Sequence, residues 1–160
     1  MGKANIKMGV KERYLELSKK YRLPSFDEID NEFEISTIEK EHFLLREIRR
    51  KITEKIEVYA KILEEILHPD PPTVSNMYES GVFDEKSRDE IFVLFKKLMY
   101  LNRLSVEASI DENEQKSSDY INAVFKNWKD IKKEFLRHIK NAKESWLRDI
   151  DIKEKLGYLG

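Results

Sequence analysis

Between Ile121 and Ile150 the apolar residues keep a period that no strand shares. Ile121, Val124, Phe125, Trp128, Ile131, Phe135, Ile139, Ala142, Trp146 and Ile150 follow a helical repeat, each three or four positions from another of the set. At 3.6 residues per turn that spacing gathers them on one narrow face of a helix about 45 Å long. Gly157, just beyond, has the character of a helix stop.

The rest of the chain reads the same way. Val10, Tyr14, Leu17 and Tyr21 recur at helical spacing inside a basic opening stretch. Leu23 and Pro24 end that helix, and Ser25 with Glu28 forms a capping box for a second short one carrying Phe26, Ile29 and Phe33. Ser36 with Glu39 forms another box. From there Ile38, Leu45, Ile48, Ile52, Ile56, Tyr59, Leu63 and Ile66 hold one stripe to His68 and Pro69, which predicts a helix about 48 Å long. Asp84 can cap a third long helix through Ile91, Phe95, Leu98 and Leu101 to about Ile110.

Phe92, Met99 and Leu104 lie off that third stripe, and a helix apolar on several sides is usually buried. On the stripe itself Asn102, Ser105 and Ser109 make the second half small and polar. This predicts a close helix crossing there, with a buried hydrogen-bond partner for Asn102. Period-two alternation is absent throughout, and the short link Asp111–Gln115 favours antiparallel neighbours. The expected fold is all-α: an elongated antiparallel helical bundle of three long helices plus one or two short N-terminal helices, with residues 1–160 forming a single helical domain.

The segment His68–Lys86 interrupts this pattern with three of the four prolines. Residues 68–84 read as a proline-rich crossover loop that carries the chain from one long helix to the next. Thr73 or Ser75 can cap a short turn within it, and Gly81 can end that turn in a left-handed conformation. Met77, Tyr78, Val82 and Phe83 are more apolar than a solvated loop requires, so they either fold back on the bundle or meet a partner.

Charge and chemistry mainly exclude. Net charge is −1 over 160 residues of which 38% are charged, so binding of a polyanion by bulk charge is not expected. No apolar run exceeds five residues, which leaves no basis for a membrane span or a signal peptide and suggests a cytoplasmic protein. Zero cysteines remove disulfides, thiol nucleophiles and thiolate zinc sites. The scattered glycines form neither a P-loop nor a dinucleotide fingerprint, so no cofactor is implied. The bias toward Lys and Glu resembles proteins from hot environments, and capped long helices of this composition have the look of small archaeal proteins.

Two constellations remain. Glu39, Lys40, Glu41 and His42 spell Glu-x-x-His, the unit that holds metal in ferritin-like bundles, although the second motif is missing. A mononuclear metal site would have to combine Glu39 and His42 with Glu134 and His138. Separately, Arg46, Arg49 and Arg50 on adjacent turns, with Lys129, Lys133 and Arg137 of the last helix, are the candidate nucleic-acid contacts. Acids lace both runs, as on a salt-bridged solvated face.

With catalytic motifs missing, the sequence suggests a non-catalytic scaffold or adaptor that binds another protein, with self-association as its simplest form. The alternatives are an accessory nucleic-acid-associated protein using the local basic patch, and a metal-binding helical bundle.

Overall fold

The computed structural model describes residues 9–148. Six α-helices form there and no strand: α1 (Val10–Tyr21), α2 (Phe26–Phe33), α3 (Leu44–Leu67), α4 (Val74–Val82), α5 (Glu85–Ile110) and α6 (Glu114–Ser145). The fold is an all-α, bundle-like arrangement, as the apolar periodicities require. Among the described residues no helix is long and apolar enough to cross a membrane.

Local sequence chemistry sets most helix ends. The Ser25 hydroxyl accepts from the Glu28 amide, while the Glu28 carboxylate accepts from the Ser25 amide and closes the capping box of α2. Thr73 accepts from the Asn76 amide at the start of α4, Asp84 from Ser87 at the start of α5, and Asn113 from Lys116 at the start of α6. The amide bond from Ser87 also holds the Asp84 carboxyl below its usual range. At the other ends, Arg22 and Glu34 take left-handed conformations, each with φ of 53°, and their amides return to Ser18 and Asp30.

Three boundaries differ from expectation. No capping box forms at Ser36 and Glu39; the Ser36 amide is taken by the Asp30 carboxylate at 2.7 Å. The chain then passes through two short 3-10 turns, Ile35–Thr37 and Glu41–Phe43, and α3 starts only at Leu44. Within 68–84 lies a nine-residue helix, α4, and Gly81 sits inside it rather than at its end. Finally, α6 ends at Ser145, so Trp146 falls in a turn and is 49% exposed. Ile150 and Gly157 lie outside the described residues.

The chain divides into two compact units, described separately. The first takes Met1–Lys55 and Leu101–Lys126. Tyr14, Leu17, Phe26, Ile29, Phe33, Ile48, Ile52 and Ile121 are buried in it. The Tyr14 hydroxyl donates to the Pro24 carbonyl at 2.6 Å, and burial, aided by the Glu28 charge, raises the pKa of that phenol. Here Arg49 meets Ser117 and Thr53 meets Tyr120, so α3 and α6 run in the same direction.

The second unit takes Ile56–Tyr100 and Asn127–Gly160. Its core includes Leu63, Ile66, Tyr78, Phe83, Ile91, Leu94, Leu98, Trp128 and Ile131. The Tyr59 ring stacks on Phe135 with centroids 4.0 Å apart, and Trp128 lies at 5.6 Å. Glu90 meets Arg137 and Lys97 meets Glu134, so α5 and α6 run antiparallel, as the short link between them predicts.

Candidate functional site

In the first unit the small polar stretch of α5 receives a buried arginine. Arg49, only 4% exposed, reaches from α3 and donates from Nη1 to both the backbone oxygen and the hydroxyl of Ser105, at 3.0 and 3.1 Å. Its Nε donates to Ser117 Oγ at 3.3 Å, and its Nη2 pairs with Glu112. The Thr53 hydroxyl lies 2.7 Å from Ser105 Oγ and 3.1 Å from Tyr120 OH, extending the network. Fixed guanidinium donors satisfied on every side make this a structural polar core and not an open binding group.

This corrects the reading of Arg49 as a nucleic-acid contact: the side chain is enclosed. Its neighbours on the surface are engaged as well. Arg46 stacks over the Phe43 ring at 4.2 Å and lies 3.6 Å from both Glu47 and Glu112, and the exposed Arg50 lies 3.4 Å from Glu47. A cavity of about 270 Å³ opens between Arg13, His42, Phe43, Arg46, Glu112 and Glu114. Its bases face its acids, Arg13 to Glu114 at 3.7 Å and Arg46 to Glu112, so it presents no unmatched charge.

In the second unit Lys133 and Arg137 line an open groove with Lys97, Asp130, Glu134 and Glu144, while Lys129 is exposed on the same helix. Lys97 pairs with Glu134 at 3.2 Å and Arg137 with Glu90 at 2.9 Å. This is the alternating-charge face that the interspersed acids predict.

The four candidate metal ligands are divided between the two units. Glu39 precedes the first turn of α3 in non-helical backbone and His42 sits in a 3-10 turn, so the three-residue spacing is not on an α-helix. Both belong to the first unit, whereas Glu134 and His138 belong to the second. Among the described residues no group of three or more His, Asp or Glu side chains is arranged to hold a metal ion. His138 is 1% exposed, neither ring nitrogen finds a hydrogen-bond partner among the described residues, and the ring packs edge-on to Phe83. Burial, reinforced by Arg137 and opposed by Glu90 and Glu134, lowers its pKa.

The residues from 77 to 83 fold back. Tyr78 and Phe83 are buried in the second unit, and the Tyr78 hydroxyl donates to the Ser145 carbonyl at 2.6 Å while its ring meets Trp146 at 4.4 Å. These two are therefore not surface contacts for a partner; Met77 and Val82 are half-buried. Arg88 locks the segment in place: it donates to the Leu67 carbonyl at 2.7 Å and to the Ser80 carbonyl at 2.8 Å, satisfying C-terminal carbonyls of α3 and α4.

What stays outside is the second apolar side of α5. Ile91, Leu94 and Leu98 point into the core, while Phe92, Val93 and Tyr100 are 51%, 52% and 66% exposed. At 100° per residue, Phe92, Val93, Lys96 and Tyr100 occupy adjoining turns on the face opposite that core stripe. Phe92 stacks loosely on Phe95 at 6.4 Å, and the Lys96 ammonium lies 5.9 Å from the Phe92 ring centroid. Of the three residues lying off the stripe, Met99 and Leu104 are half-buried, and the expectation of burial fails at Phe92, which faces outward.

Comparison of the sequence with models of known protein families, with curated proteins and with solved structures finds no significant match.

Proposed function

We propose that this chain is a non-catalytic protein-binding module whose docking surface is the outward face of α5 in the second unit. The observation that carries this reading is the cluster of Phe92, Val93 and Tyr100, each at least half exposed, on adjoining turns of a well-packed helix. Scattered single apolar residues on a surface are ordinary, but neighbouring aromatic and branched side chains on one rigid face are the material of protein interfaces. Phe and Tyr supply large contact area with few rotatable bonds. Lys96 over Phe92 adds a rim charge that selects among partners.

A photoreactive amino acid placed at Phe92 or at Tyr100, in the cells that make this protein, tests the reading. Protein adducts should form at both positions and be scarce when the same group replaces Lys129 on α6. Equal labelling at all three positions, or none, would reject the α5 face.

A further inference from the structure

The order of charges along the outward face of α5 points to its occupant. Asp89, Phe92, Val93 and Lys96 follow one another there, with the apolar pair in the middle, an acid about one turn before it and a base about one turn after. Asp89 and Lys96 are both exposed, and Lys96 leans toward the Phe92 ring. A face whose polarity reverses across its own midpoint is complementary to itself turned end for end.

Resting on the reading of this face as a docking surface, we propose that the chain pairs with a second copy of itself through α5, two-fold and antiparallel, about an axis between Phe92 and Val93. In that register each Asp89 opposes Lys96 of the second copy, and Phe92 opposes Val93. Glu85 comes opposite Tyr100, whose phenol can donate to the carboxylate. A parallel arrangement would set Asp89 against Asp89 and Lys96 against Lys96, so charge selects the antiparallel one. A net charge of −1 places no general repulsion between copies.

The test is a charge exchange read by molar mass from light scattering of the full chain at rising concentration. The wild type should show a concentration-dependent dimer. Asp89→Lys and Lys96→Glu should each weaken it about tenfold, because two opposed pairs turn repulsive in each dimer. The double variant should return to near the wild-type affinity, since both exchanged charges meet again across the two-fold. Asp89 and Lys96 are both exposed, so the variants should stay folded, which far-UV circular dichroism checks. A wild type that stays monomeric throughout, or a double variant no better than either single one, overturns the proposal. If crosslinks from Phe92 reach a different protein while no dimer forms, self-pairing fails and the docking surface stands; if Phe92 crosslinks to nothing, both fail.

Discussion

The Arg49 guanidinium holds Ser105 by two hydrogen bonds, to its carbonyl at 3.0 Å and its hydroxyl at 3.1 Å, and so ties the start of α3 to the end of α5 inside the first unit. Glu112 balances its charge from the link before α6. A buried charge is tolerated only while its partner remains, and that asymmetry orders the effects of mutation.

Glu112→Ala should therefore destabilise the protein by about 3 kcal/mol, because it strands the Arg49 charge. Arg49→Met removes the charge while keeping much of the volume, and should cost clearly less, about 1 kcal/mol. Urea unfolding of the two variants side by side checks the order. A methionine variant less stable than the alanine one would show that the ion pair contributes net stability.

Arg88 closes the ends of two helices with one side chain. Arg88→Ala should cost about 2 kcal/mol, from two charge-assisted hydrogen bonds to carbonyls that lose their partner. Hydrogen exchange should show the loss concentrated at the end of α3 and in α4.

Tyr78→Phe removes only the hydroxyl that donates to Ser145 and keeps the ring against Trp146. We expect a loss of about 1 kcal/mol with fraying of the last turn of α6, readable as faster amide exchange near Ser145.

His138 makes stability depend on pH. Its folded pKa lies below the ordinary 6.5, so between those two values the unfolded chain binds more protons. Stability is then full above about pH 6.5 and falls as pH drops through the folded value. His138→Leu should remove that part of the slope. The loss on going from pH 7.5 to pH 5, each pH roughly bracketing the ordinary histidine range, should be larger for the wild type than for the variant. Equal losses in thermal melts would show that the imidazole is hydrated.

Periodicity and capping chemistry are local, and for that reason they were legible. The Ser25–Glu28 box, the Thr73 and Asp84 caps and the apolar stripes of α5 and α6 each depend on residues within a turn or two of one another. The start of α3 was not legible, because the Ser36 amide goes to Asp30, six residues away, which no capping pattern encodes. Nor was the fate of the arginine cluster. Arg46, Arg49 and Arg50 look alike in the sequence, and only the arrival of Ser105, Glu112 and Ser117 from other helices encloses the middle one.

The sequence by itself determined that the chain folds as helices, which sides of them are apolar, and that few familiar catalytic motifs are available. Tertiary structure decided which apolar sides are covered. Ser105 hinted at a close crossing but could not name Arg49, since that partner lies more than fifty residues away. Phe92 and Tyr100 illustrate the converse: hydrophobicity is a property of the residue, whereas exposure depends on whether another helix arrives, and among the described residues none covers that face of α5.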